Sequence, residues 1–153
     1  MTPDEAAAQI AAVIRAAALA STQGDPLFGL REAQYPAKGQ TPKYPSLVLL
    51  IDNAELDYFS GEQHWEISVR GLLLTGLFNE QRHHIGEVDP LIAPLVDLFD
   101  ASNPDGFLLK RSNGDICDGC LVTGVQLGGI GYGGQDHYGA TITWNVKLRR
   151  FAS

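Results

Sequence analysis

The sequence predicts an α+β fold: an antiparallel β-sheet of four to five strands with two main helices packed on one face. Three observations predict it. Tyr138, Ala140, Ile142, Trp144, Val146 and Leu148 alternate with Gly139, Thr141, Thr143, Asn145, Lys147 and Arg149, the period-two pattern of a half-buried strand. A second stretch repeats it, with Trp65, Ile67, Val69 and Gly71 on one side and His64, Glu66, Ser68 and Arg70 on the other. Two helical stretches, each with its own start signals, separate the strands.

The first helix is set up by Thr2 as N-cap, Pro3 at the first helical position and Glu5 completing a capping box. Ala6, Ile10, Val13, Ile14 and Ala17 form its apolar stripe, and Gly24 offers a stop. From Ser21 to Pro45 the periodicity vanishes among Gly24, Pro26, Gly29, Pro36, Gly39, Pro42 and Pro45. A segment of this length is either a docking loop or a strap over the chain's own core. Its binding groups are Phe28, Leu30, Tyr35 and Tyr44.

Leu47–Ile51 reads as a strand, apolar on both faces. A turn at Ser60-Gly61 joins it to a partner over Gln63–Thr75. A second helix is expected over Ile85–Ala101, opened by Asp89-Pro90 and kinked at Pro94, with Ser102-Asn103-Pro104 closing it. Phe107–Arg111 and Leu121–Leu127 read as strands, with a turn at Ser112–Asp115. Gly128–Gly139 reads as a Gly-rich hairpin tip, mobile until docked or simply a wide loop.

Length and charge bound the function. One domain, residues 1–153, is expected from 153 residues. The net charge is -7, with 44% hydrophobic and 19% charged residues. Such a chain is a poor phosphate binder, because that affinity comes from Lys and Arg releasing counterions. Asp4 and Glu5 sit where a signal peptide carries positive charge, and no apolar run is long enough to span a bilayer. A soluble intracellular protein with no membrane association is expected.

No catalytic residue, cofactor or metal ligand is assigned. Cys117 and Cys120 form C-x-x-C in a stretch that reads as a turn, where nearby Asp115 and Asp118 oppose a reactive thiolate. Zinc would need two more ligands, and the adjacent His83 and His84 point apart, leaving His137 near a turn. A small redox or zinc protein stays open as a distant alternative. The glycines from Gly128 to Gly134 lack the Lys-Ser/Thr ending and the helix of a phosphate loop. Asp52, Glu55, Asp57, Glu62 and Glu66 cluster along the first hairpin, the pattern of a solvated face rather than an acid–base pair.

The layout resembles the tail-terminator and tail-to-head joining proteins of long-tailed bacteriophages. The pieces that carry it are the helix Pro3–Ala20, the loop ending in Tyr44-Pro45, the strand Ser46–Ile51, its partner Trp65–Leu74, the helix Leu91–Phe99 and the closing segment Tyr138–Phe151. The resemblance implies a virion protein assembled in the host cytoplasm. It implies a homo-oligomeric ring, commonly a hexamer, that caps the tail tube, ends its polymerisation and joins tail to head. Its partners would be itself, the tube protein and the neck proteins, with DNA passing unbound. Phe28, Leu30, Tyr35, Tyr44, Ile130 and Tyr132 are then the candidate interface residues, and Asp52, Glu55 and Asp57 the candidate lumen carboxylates. A neck protein or a tail-tube subunit is the alternative.

Overall fold

Helix α1, Pro3–Ala20, begins as its capping box dictates. The Glu5 N–H donates to Thr2 Oγ1 at 3.2 Å, which satisfies one of the orphan donors of the first turn. Ser21 ends the helix, its backbone N–H and its hydroxyl both donating to the Ala18 carbonyl. Ala6, Ala7, Ile10, Ala11 and Ile14 are fully buried. The small alanines let the helix lie close to the sheet.

The computed structural model describes residues 2–36, 43–78, 85–109 and 116–151. After α1 come a 3-10 turn, Pro26–Gly29, and the strands β1 (Glu32–Gln34), β2 (Ser46–Phe59) and β3 (Glu62–Leu77). Helices α2 (Ile85–Asp97) and α3 (Pro104–Phe107) follow, then β4 (Ile116–Tyr132) and β5 (Gln135–Phe151). The sheet has five strands in the order β1-β2-β3-β5-β4. It is an α+β fold, but the sheet is mixed: β1 runs parallel to β2 while every other pair is antiparallel.

Three expectations are corrected. Phe107–Arg111 is not a strand: Pro104–Phe107 is a helical turn, and residues 110–115, including the expected turn, lie outside the described residues. Asn103 causes the difference. Its side-chain amide donates to the Leu98 carbonyl at 3.0 Å and its own carbonyl starts the turn. Gly106 fits against Leu98, whose carbonyl oxygen would lie 1.8 Å from an added Cβ. Helix α2 starts at Ile85 and ends at Asp97, so Pro90 lies inside it with Pro94, not at its first position.

Cys117 and Cys120 lie in strand β4, not in a turn. A bulge at Asp118 sets Cys117 opposite Leu148 and Cys120 opposite Val146, so both thiols face the core despite their spacing. The Gly-rich stretch forms the expected hairpin tip, with pairing continuous from Gly128↔Gly139 to Tyr132↔Gln135. Its turn is Gly133-Gly134 alone, with φ of 62° and 78° suited to a two-residue connection.

Trp65 and Trp144 share the helix-side face, through the register Trp65↔Leu148 and Val69↔Trp144. Only Trp144 is fully buried; Trp65 is half-buried and packs against the margin of the same core, beside Ile67 and Leu148. Trp144 packs edge-on to Phe99, with ring centroids 5.6 Å apart. Its indole lies over Gly71, where an added Cβ would sit 2.5 Å from the ring. A smaller cluster of Val48, Leu72, Leu74 and Ile130 occupies the other face, under Tyr44 and Tyr132.

Candidate assembly surfaces

Strand β2 outruns its apolar start. Leu47–Ile51 was the expected strand, yet pairing continues to Phe59↔Glu62. A bulge at Asp52 resets the alternation, so that Ala54 and Leu56 return to the helix-side face opposite Ile67 and Trp65. Every residue from Ile51 to Gly61 is exposed; this outer stretch of the hairpin, the arm, runs along the sheet edge while its inner strand stays paired with β5 as far as Glu62↔Phe151. The turn Ser60-Gly61, with φ of 52° and 79°, has the geometry of a tight, twist-matched connection. Leu56, Tyr58 and Phe59 stand on the arm with 38%, 64% and 71% exposure.

Both long edges of the sheet are open. β1 pairs with β2 only as far as Val48, and among the described residues nothing pairs with the outer side of Leu49–Phe59. At the other side, among the described residues β4 bonds only to β5. Natural edge strands are usually blunted with Lys, Pro or short length. β4 runs for 17 residues with neither Lys, Arg nor Pro. Val125 and Leu127 lie opposite Ile142 and Ala140, hence on the helix-side face, and both are exposed. Ile51 and Leu56, exposed beside the other edge, are on that same face. The two unlike edges thus both carry exposed apolar residues on one face, offset from each other along the strands.

The opposite face is polar toward the arm. Glu55, Glu66 and Lys147 form one row across the strands, and Asp57, His64 and Arg149 the next. Asn145 donates to Glu66 at 2.8 Å, and Arg149 Nε donates to Asp118 at 2.7 Å. Glu55 and Asp57 therefore lie on one face, as lumen groups would, but interleaved with cations rather than in an acidic patch. Asp52 sits at the bulge between the two registers.

The aromatic and apolar groups of the strap are mostly engaged within the chain. Leu30 and Ile130 are buried. Tyr44 donates its hydroxyl to His137 Nδ1 at 2.6 Å. That assignment follows because His137 Nε2, 2.9 Å from the Tyr132 carbonyl, must be the donor there. His137 is 1% exposed, so Tyr44 and Tyr132 bracket a buried imidazole that ties the strap to the β4–β5 tip. Among the six candidate interface residues, only Phe28 is exposed outright, and Tyr35, Tyr44 and Tyr132 are half-buried. Leu56, Tyr58, Phe59, Val125 and Leu127 were missed. The alternation Ala54, Leu56, Tyr58 was readable, but the carboxylates between them read as a solvated hairpin face.

Tyr35 donates to Asp4 Oδ1 at 2.6 Å and anchors the strap to the start of α1. That hydrogen bond, then burial and the Asp4 charge, push its hydroxyl up to about 12. A raised pKa opposes ionisation in the folded state. The tie is therefore intact below the ordinary tyrosine value of ~10 and is lost as pH rises through the raised one. Asp4→Asn is expected to move this ionisation back toward the ordinary value in an ultraviolet titration. An unchanged titration would mean that the contact is absent in solution.

The thiols do not form a reactive site. Burial, and then the neighbouring Cys117, push the Cys120 thiol far up. The Cys117 thiol points to the Phe107 carbonyl at 3.8 Å. His83 and His84 lie outside the described residues. Among the described residues no three His, Cys, Asp or Glu side chains are grouped to hold a metal, and no helix is long and apolar enough to cross a membrane. No protein-family model matches the chain, and no curated protein sequence matches it.

Proposed function

We propose that this chain is a tail-terminator subunit of a long-tailed bacteriophage, a structural virion protein and not an enzyme. Copies join into a ring, commonly a hexamer, that caps the tail tube, ends its growth and meets the neck of the head. The observation that carries this reading is the pair of open sheet edges. β4 and the far part of β2 are different surfaces on opposite sides of one sheet, and both bear exposed apolar residues on the helix-side face. Joining unlike surfaces head to tail closes a ring or runs on as a filament. Pairing β4 of one copy with β2 of the next would satisfy both rows of backbone groups and cover Val125, Leu127, Ile51 and Leu56.

In such a ring the helix-free face turns inward. Its mixed rows, Glu55–Glu66–Lys147 and Asp57–His64–Arg149, offer no continuous basic track to hold DNA phosphates. DNA can then pass without binding. A tail-tube subunit or a neck protein uses the same ring logic and is the alternative. Electron microscopy of particles assembled without this protein separates them. Overlong tails are expected for a terminator. Separated heads with normal tails would instead mark a joining protein and overturn the terminator assignment.

A further inference from the structure

The two open edges of the sheet are both bounded, and their bounds match. On β2, Gln34 of β1 pairs with Val48 at one end, and Phe59 meets the Ser60-Gly61 turn at the other. Between these limits Leu49–Phe59 offers ten ladder positions, with Asp52 left out at the bulge. The ladder of β4 runs unbroken from Gly124, just past the bulge at Thr123, to Tyr132 at the Gly133-Gly134 turn, nine positions. β4 runs opposite in direction to β2 within one copy. Copies related by rotation about a ring axis therefore bring the two stretches together antiparallel.

Helix-side residues must meet helix-side residues, because a slip of one position turns every side chain to the wrong face. Those residues are Ile51, Ala54, Leu56 and Tyr58 along β2, and Val125, Leu127, Gly129 and Gly131 along β4. Run in opposite directions, they complement each other in size: Tyr58 against Val125, Leu56 against Leu127, Ala54 against Gly129 and Ile51 against Gly131. At Gly131 an added Cβ would come no nearer than 4.0 Å to another group among the described residues, and the φ there is not in the left-handed region. The fold of the single copy therefore does not demand glycine at this position, and the bare backbone leaves room for Ile51 of a neighbour. The ring of Phe78, 40% exposed, reaches to 3.6 Å from the same point at Gly129 and walls that space. On the other face Glu55 meets Gly128 and Asp57 meets Gln126. From Gly124 to Gln135 the chain carries no charged residue, so the carboxylates of β2 arrive against a neutral strand.

We infer that the end of β1 is the stop that sets the register between copies. Leu127 lies against Leu56, Gly131 against Ile51 and Tyr132 against Leu50, and the Gly133-Gly134 turn rests against the end of β1 in the next copy. This rests on the ring reading above and names where along each edge the contact lies. A slip of two positions toward β1 keeps the faces but sets Tyr132 opposite Val48, a place that Gln34 already holds. A slip of two positions the other way leaves Ile51 unpaired and exposed. Within one copy Leu127 is level with Leu47 rather than Leu56, so neighbours are displaced along the strands. In a closed ring that displacement becomes a tilt of the strands from the axis, as in any closed sheet with a stagger.

Disulfide trapping in the full chain, with mass measured in parallel, tests the register. Leu127→Cys with Leu56→Cys should cross-link neighbouring copies on mild oxidation. Leu127→Cys with Ile51→Cys places the thiols about 13 Å apart along the strands and should not. The native Cys117 and Cys120 are buried and do not compete. Gly131→Ile should leave the circular dichroism unchanged and weaken association about tenfold, and adding Ile51→Ala should restore it. Rings that cross-link through the Leu127→Cys, Ile51→Cys pair, or that tolerate Gly131→Ile, would overturn the register and leave the ring reading standing. A protein whose mass never exceeds that of the monomer would overturn both.

Discussion

Replacing Trp144 by Ala is expected to destabilise the fold by about 3–5 kcal/mol, the largest effect of any single truncation in this chain. The indole is fully buried between the sheet and α2, edge-on to Phe99 and seated over Gly71. Its removal leaves a void lined by Leu47, Phe99 and the strand backbone, which two rigid layers cannot close. A domain of this size is stable by roughly 5–15 kcal/mol, so the variant should unfold at a much lower denaturant midpoint. Trp144→Phe is the control. It retains a ring and removes an indole N–H that has no hydrogen-bond partner, so its cost should be smaller. Gly71→Val should approach the Ala variant in severity by pushing the indole from the other side. Urea unfolding of the three variants checks this, and a loss below about 1 kcal/mol for Trp144→Ala would contradict the packing described.

Val125→Lys with Leu127→Lys is expected to abolish ring formation while leaving the subunit folded. Both side chains are exposed on the edge strand of the free chain, where lysine is well tolerated and is a natural device against pairing. In the proposed joined sheet the same positions would lie beside the exposed apolar residues Ile51 and Leu56 of the next copy. Burying two ammonium groups there should weaken association by on the order of a hundredfold or more. Circular dichroism should be unchanged and the sedimenting mass should fall to that of the monomer. Leu19→Lys, on the exposed side of α1 and away from the strip, should leave the ring intact at dilute concentration. Rings that persist with lysine at both edge positions would mean that β4 is not the lateral surface.

Local chemistry made much of the fold legible. The capping box at Thr2 and Glu5, the turn at Ser60-Gly61 and the alternation around Trp144 are each decided within a few residues, and each stands in the structure as read. What failed depends on partners distant in sequence. Strand β1 is three residues long and exists because the strap is laid beside Ser46–Val48. Bulges at Asp52 and Asp118 each insert one residue, which hides the period-two pattern from any fixed count. The first bulge concealed the arm, and the second put two cysteines on one face that simple alternation would have divided. Trp65 has the same local pattern as Trp144, yet it lies at the margin of the core and is only half-buried.

The candidate surfaces were less legible than the fold. Tyr35 and Tyr44 were credited as docking groups because aromatic residues in a Pro-rich loop suit that role. Their hydroxyls instead meet Asp4 and His137, far away in sequence, which no local pattern reveals. Glu55 and Asp57, named as lumen candidates with Asp52, share one face, where Lys147 and Arg149 from the last strand moderate the charge. Open edges are a property of sheet order, so they became visible only once β4 and β2 were placed on opposite sides.

The account rests on closure of the subunit into a ring. The direct measurement is mass by light scattering across protein and salt concentration, with and without tail tubes. A closed species at a fixed multiple of the 16.5 kDa chain is expected, a hexamer by the family resemblance. Salt should favour it by screening repulsion between acidic copies, and it should bind tube ends. A protein that stays monomeric at every concentration and salt, and never binds tail tubes, would contradict the account.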